Sequence, residues 1–523
     1  MADSELNAQA AAARKKADAS ADAGLLAKGG AIQISGQFCS RLLAFVFIAA
    51  VNGFLNQSAY GLYRKVFQVL SIGGQVGLLG FNYSAMRFIA RARAKGEPGA
   101  VRAAIVVGLW GTLVTGVIAF VILHFATEPI ASYFAGRKGD PQEVAHLLEI
   151  GAAFVPLFAL MQTLRYCTQA YKTMIPSVIV GNIVQPGARF GIGIAVLFFG
   201  ATVAGLMWVT VASAALGAIA GFYFLLRTMD PAERKARPKW EIGPMINFAI
   251  PQAGASMLGI QSLGLGVIIV GLYKPDFVVG AFAIALSLQG PGGIFLSGIV
   301  NIWAPVVSDL YERGEIQRLE GLYQVINRWV VTFSFPLYVV IIVEPMFFVH
   351  LLNSDSETAG QTARILALGN LFYTGTGPTG YVLSMTGRPW INFINSLCAV
   401  GAYMGLGALA VPRYGAQGMA VVDACVTAAV NLVRVAEARL LVGVQPYGKS
   451  FLKPLTASAA LAAVLLAWKL VPGGMWMRIP GFLLGGLAYL AVLKALGVDE
   501  SEREVWARIK RRAFKRRGAK QAG

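Results

Sequence analysis

The sequence predicts an all-α membrane protein of about fourteen transmembrane helices: two parallel six-helix halves related by a pseudo-twofold axis, plus two extra C-terminal helices. Three observations carry this reading. The composition is 56% hydrophobic and 14% charged, with a mean hydropathy of +0.62, whereas soluble domains hold about 25% charged residues. Apolar runs recur along nearly the whole chain, each close to the roughly 20 residues a helix needs to cross about 30 Å of hydrocarbon. Segments of the first half also return in the second at a constant offset of 219 residues.

Residues 1–30 are polar, Ala-rich and of mixed charge, and read as a disordered cytoplasmic tail without the cleavage pattern of a signal peptide. Spans follow at 31–52, 60–82, 101–124, 147–169, 176–199 and 202–226, forming an N-terminal lobe over 31–226. A cytoplasmic linker at 227–245 leads to a second lobe over 246–438, with spans at 246–271, 277–304, 327–349, 363–385, 391–411 and 417–438. Helices at 454–471 and 478–497 complete the membrane part. The basic tail 498–523 places Val505, Ile509 and Ala513 at helical spacing beside Trp506, as an interfacial helix does.

Loop charge orients the stack. With the N-terminus inside, inner segments hold Arg87, Arg91, Arg93, Lys95, Arg102, Lys172, Arg227, Arg234, Lys235, Arg237 and Lys239 in the first half alone. Outer segments carry only Arg137, Lys138, Lys274, Arg413 and Arg478. This is the positive-inside asymmetry, and it makes both termini cytoplasmic. The net charge of +19 is thereby assigned to an anionic membrane leaflet, not to nucleic acid. The four cysteines (Cys39, Cys167, Cys398, Cys425) lie within spans without CxxC or Cys/His spacing. Neither a disulfide framework nor a metal site is indicated, and no cofactor is expected.

The repeat aligns 59–82 with 278–301, pairing Gln33 with Gln252, Gly61 with Gly280 and Asn82 with Asn301. Six helices per copy is an even number, so both halves point the same way, an arrangement that places a transport site at their interface.

Polar residues inside the spans fall at helical spacing. Gln33, Gln37 and Arg41 are four apart; Arg64, Gln68, Ser71 and Gln75 follow steps of four, three and four. Gln162, Arg165 and Gln169 form a third stripe, Asn182, Gln185 and Arg189 a fourth, and Asp423, Thr427, Asn431 and Arg434 a fifth. Residues three and four apart share a helix face. A charged side chain at the bilayer centre costs about 2.5–3.5 kcal/mol on insertion scales, so these stripes point to a polar passage. Interhelical hydrogen bonding explains the Ser and Thr members. The cations explain more: Arg41, Arg64, Lys65, Arg165 and Arg189 outnumber the acids of the same half, and guanidinium suits phosphate or carboxylate. Arg41 and Arg189 are the strongest candidates; Arg64, Lys65 and Arg165 lie near helix ends, where snorkelling is an alternative. Gly and Pro interrupt spans at 184–187, 250–252, 289–293 and 373–380, which frees backbone groups to line a cavity or bend.

The stretches SGQFCSRLLAFVFIAAV and SAYGLYRKVFQVLSIGGQVGLLGFNYSAMRFIARA resemble the polysaccharide-transport branch of the multidrug/oligosaccharidyl-lipid/polysaccharide exporters, the lipid-linked oligosaccharide flippases of the O-antigen type. The resemblance implies a bundle opening alternately to each side of the cytoplasmic membrane and a polyprenyl-diphosphate-linked glycan as cargo. It implies a cavity lined by first-half cations, here Arg41, Arg64 and Arg189. The polar stripes, with Gln37, Gln68, Gln75 and Gln185, are then expected to offer hydrogen bonds to the sugar hydroxyls. Other glycan-assembly proteins are conceivable partners. Asp423, an acid well inside a span, is a candidate for ion coupling or a partner for Arg434. A drug or cation antiporter of the same superfamily is the main rival, and it would want acidic residues where helices one to six hold only Glu149. A membrane glycosyltransferase would need clustered carboxylates or a catalytic His in a sizeable outer loop, which 125–146 is too short to provide.

Overall fold

The computed structural model describes residues 32–135, 140–171, 173–200, 202–257 and 264–497. The two tails and the loop residues Arg137, Lys138 and Lys172 lie outside the described residues. The described regular structure is helical throughout, with no strand among the described residues.

The first helices are α1 (Ile32–Phe54), α2 (Gln57–Leu78), α3 (Phe81–Ala94), α4 (Pro98–Phe125), α5 (Thr127–Ala135), α6 (Pro141–Ala152) and α7 (Phe154–Gln169). Next come α8 (Ile175–Gly200), α9 (Val203–Thr228), α10 (Pro231–Lys235), α11 (Ile242–Met257), α12 (Leu265–Tyr273) and α13 (Asp276–Glu312). The remainder are α14 (Ile316–Val343), α15 (Pro345–Leu351), α16 (Glu357–Gly375), α17 (Thr379–Met385), α18 (Pro389–Glu437), α19 (Leu452–Trp468) and α20 (Arg478–Ala495).

Among the described residues, ten helices are long and apolar enough to cross a membrane. The gap from about fourteen has local causes. Helix α2 carries Arg64, Lys65, Gln68 and Gln75 and is less apolar than these ten. The expected span 246–271 is represented by α11 and α12, on either side of residues that are not described. The span 363–385 is broken into α16 and α17 at Gly377, whose φ is +65°. The spans 391–411 and 417–438 run on as α18, kinked at Gly415 (φ 58°, ψ −137°).

The chain forms two compact units. One comprises Met1–Gly290, Val349–Thr362 and Phe393–Asp423; the other comprises Pro291–Phe348, Ala363–Asn392 and Ala424–Gly523. In the first, α3, α4, α7 and α9 share a core of Ala85, Ile89, Val101, Ile105, Met161, Leu164, Cys167, Ala218 and Leu225. Small residues let these helices approach: Gly108 faces Ala85, and Gly116 faces Pro156 and Ala159. Hydroxyls bond between helices, with Thr112 Oγ1 2.8 Å from Thr163 Oγ1 and Thr115 Oγ1 donating to Gly77 O at 2.6 Å. The opposite face of α4 exposes Trp110, Val114, Val117, Ile118, Val121, Ile122 and Phe125. Seven large apolar residues left in water would be an aggregating patch; against acyl chains they are at home.

In the second unit, Trp303 stacks on Tyr323 with ring centroids 5.7 Å apart, above Val307, Leu319, Val382 and Ala438. The break between α16 and α17 frees carbonyls, and α14 answers them. Tyr323 Oη donates to Thr376 O at 3.0 Å, and Asn327 Nδ2 donates to Gly375 O at 2.9 Å. Helices α19 and α20 pack on each other through Leu461, Leu465 and Tyr489, and Tyr489 Oη donates to Thr332 O of α14 at 2.7 Å.

The linker is tied down. Asp230 and Glu233 form a capping box at the start of α10. Arg93 Nε donates to Glu233 Oε1 at 3.0 Å and Arg93 Nη2 to Asp230 Oδ2 at 3.1 Å, while Tyr171 Oη donates to Glu233 Oε2 at 2.7 Å. Desolvation works against the Arg93 charge, but hydrogen bonds to Glu233 and Asp230 outweigh it and hold the guanidinium more basic than usual. Burial, then the bond to Glu233, pushes the Tyr171 phenol well up. Replacing Glu233 with Ala strands the partners of this carboxylate, and a loss of about 1–3 kcal/mol is expected. A thermal midpoint in detergent that is lowered by Glu233→Ala and less by Glu233→Gln is the result that checks it.

Candidate functional site

Midway along α8 the guanidinium of Arg189 sits among three aromatic rings. Its Cζ is 4.3 Å from the Phe67 centroid, 5.4 Å from Tyr63 and 5.6 Å from Phe47. One terminal nitrogen donates to the Tyr63 hydroxyl, which lies 2.9 Å from Thr210 Oγ1 on α9. Arg64 approaches the same Phe67 ring, at 5.6 Å. Two cations thus share one ring face system, where each cation–π contact is worth about 0.5–2 kcal/mol depending on solvation. Both Nε–H donors, of Arg64 and of Arg189, are buried without a hydrogen-bond partner. Unmatched donors beside positive charge in an apolar surround are suited to an anion with several acceptor oxygens.

Local sequence builds this arrangement. Tyr63, Arg64 and Phe67 lie within four residues of α2, so they fall on adjoining faces one turn apart. On α8, Pro186 removes an N–H and its ring would collide with the carbonyl of Asn182. The helix answers with a π turn over Ile179–Val184, a device common at functional sites. The interruption expected at 184–187 is therefore a change of winding that sets the phase of Gln185 and Arg189.

The other sequence candidates are distributed around this centre. Arg165 Nε donates to Ser177 O at 3.0 Å and its Nη1 to Gln162 Oε1 at 2.7 Å, so it braces the start of α8 beside Gly181. Arg41 is exposed on α1, and its guanidinium lies along Gly290 of α13, where an added Cβ would come within 2.8 Å of Nη1. Helix α1 follows α8 from Gly36 beside Val178 and Asn182 to Phe47 beside Gly193, and Arg41 lies between these contacts. Gln68 is buried against Gly264. Gln37 and Gln75 are half-buried, and Gln185 sits beside Gly217 of α9. Lys65 turns elsewhere: only 3% exposed, its Nζ donates to Phe134 O at 3.0 Å and pairs with Asp276 Oδ1 at 2.5 Å. Asp423 accepts from Tyr403 Oη at 3.0 Å. Among the described residues no group of three or more His, Cys, Asp and Glu is placed to hold a metal ion.

Sequence reasoning missed Phe47, Tyr63, Phe67 and Thr210. Aromatic residues in an apolar span read as packing. The available signal was a Tyr inside a span, whose hydroxyl needs a partner when buried, next to Arg64 and four residues ahead of Phe67.

The family described as "Polysaccharide biosynthesis protein" matches residues 26–311, more than half of the chain. The lipid II flippase MurJ of Bacillus subtilis (strain 168) is 22% identical over 168 residues, a match covering 31% of this chain and 31% of that protein. Solved structures share the fold. A lipid II flippase MurJ in an inward closed conformation superposes with a TM-score of 0.68 at 13% identity, covering 88% of this chain and 97% of that one. An inward-facing multidrug resistance MATE family transporter of the MOP superfamily gives 0.64 at 15% identity, covering 79% and 98%.

The ring cluster makes a direct prediction. Arg189→Ala should weaken binding of inorganic pyrophosphate to the detergent-solubilised protein by about tenfold, the loss of roughly 1.4 kcal/mol expected for one charge-assisted contact. Titration calorimetry reads it, with Arg189→Lys intermediate because a point charge replaces a fork.

Proposed function

The chain belongs to the polysaccharide biosynthesis protein family, and from that membership we propose that it flips a polyprenyl-diphosphate-linked oligosaccharide across the cytoplasmic membrane. The observation that supports this reading most is the pair Arg64 and Arg189 on the Phe67 ring, each with an unmatched buried donor. A diphosphate leaving water needs compensating charge and hydrogen bonds, and these groups offer both. Arg41 supplies a further cation on α1, and the polar stripes of Gln37, Gln68, Gln75 and Gln185 suit sugar hydroxyls. The prenyl tail stays in lipid beside the exposed apolar helix faces.

In this proposal the lobes 31–226 and 246–438 rock about the site and expose it to each side in turn. Both termini are cytoplasmic, as the loop charges argue. With the cell interior negative, outward passage of the anion is assisted by about 2.3 kcal/mol per charge per 100 mV. Asp423, held by Tyr403, is the acid available for ion coupling. Glycan-assembly enzymes would supply the cargo and consume it.

The multidrug transporter fold keeps a second reading in play, efflux of cationic drugs. The sign of the site separates the two, since guanidinium groups repel a cation. Arg189→Ala and Arg41→Ala are expected to abolish surface glycan in cells at unchanged protein level. Full glycan output from both variants, or drug sensitivity in a deletion strain with normal glycan, would count against the flippase.

A further inference from the structure

The offset of 219 that relates the halves of the sequence pairs Gln57 with Asp276 as well as Gly61 with Gly280. These four residues meet where α2 crosses the start of α13. A side chain built on Gly61 would run into the Asp276 carbonyl oxygen and the Gly280 nitrogen, and one built on Gly280 into the Gln57 carbonyl oxygen. Residue 57 therefore touches 280 while 61 touches 276, the reciprocal pattern of a self-complementary twofold contact. Glycine at both positions is what lets the backbones come this close.

Polar bonds ring the crossing. Lys65 Nζ reaches Asp276 Oδ1 at 2.5 Å. Gln57 Nε2 donates to Phe277 O at 2.8 Å, and its Oε1 accepts from Ser354 Oγ at 2.7 Å. Asn52 Nδ2 donates to Leu352 O at 2.9 Å, and Asn353 Nδ2 donates to Ala49 O at 2.9 Å. The first ties α2 to the start of α13, and the others tie the corner between α1 and α2 to the start of α13 or to the loop after α15. None is a member of the ring cluster at Arg189.

We infer that this crossing is a closure: a glycine-on-glycine seam, locked by the Lys65–Asp276 pair, that seals one end of the passage and parts when cargo leaves by that end. The inference rests on the transporter reading above. Such a lock is reversible because opening returns both charges to water, which offsets much of the lost attraction. The two glycines themselves add no side chain to the surface exposed when the seam parts.

The test uses the full chain with its four cysteines replaced by alanine and a reporter cysteine at Ser71, on α2 beyond the crossing. A membrane-impermeant maleimide is added to each side of sealed vesicles in turn. With the seam intact, labelling from the side of the α1–α2 corner is slow. Gly61→Leu, Gly280→Leu and Lys65→Glu should each raise that rate by about tenfold as the open population grows. Lys65→Glu combined with Asp276→Lys should return it to the slow value, a rescue that a misfolded chain cannot give. Unchanged labelling in the single variants, or no rescue in a double variant that reaches the membrane normally, overturns the closure. Labelling requires no cargo. A seam that behaves as expected in a chain that moves no glycan would sink the flippase reading and leave the closure standing.

Discussion

A guanidinium group cannot be left alone in hydrocarbon, and the first unit is arranged around that constraint. Arg189 is met by three ring faces and a tyrosine hydroxyl, Arg165 by a carbonyl and Gln162, Lys65 by a carboxylate and a carbonyl. The cations differ in how completely they are answered. Lys65 and Arg165 have their charge matched by oxygen atoms and serve the architecture. Arg64 and Arg189 are held by π faces, which stabilise a cation without neutralising it, and each keeps an unmatched donor. That difference separates groups that hold helices together from groups left with capacity for a ligand.

Much of this was legible in the chain. Period and hydropathy located the spans because a helix in lipid must be both long and apolar. Steps of four put Arg64 near Gln68 and Gln185 near Arg189, because those steps are geometric consequences of 3.6 residues per turn, whereas Asn182 lies inside the π turn, where that period does not hold. What stayed hidden were contacts between segments distant in sequence. Nothing near Lys65 announces Asp276, and the two look alike in kind to Arg64 and Asp423 until the helices are packed. Phe47 and Phe67 were hidden for another reason: in a lipid-compatible sequence, an aromatic ring that faces a cation is spelled the same way as one that faces acyl chains.

Gly and Pro clusters were legible as interruptions but not in their form. At 373–380 the helix does break, and Tyr323 and Asn327 from α14 take up the freed carbonyls. At 289–293 the helix α13 continues without a stop, and Ser334 Oγ donates to Gly292 O at 2.7 Å. The boundary between the two compact units nonetheless falls at Gly290 and Pro291. Whether such a cluster stops a helix depends on which neighbour supplies a hydrogen bond, and that is a property of the packed protein.

The π turn over Ile179–Val184 has an evolutionary corollary. Removing or adding one residue there would rotate everything downstream by about 100° about the helix axis, swinging Arg189 off the rings of α1 and α2. The chain length between Pro176 and Arg189 is therefore under phase control. Insertions and deletions should be purged from this stretch even where individual side chains drift freely, so relatives that keep an arginine among these rings ought to keep its length before they keep its letters.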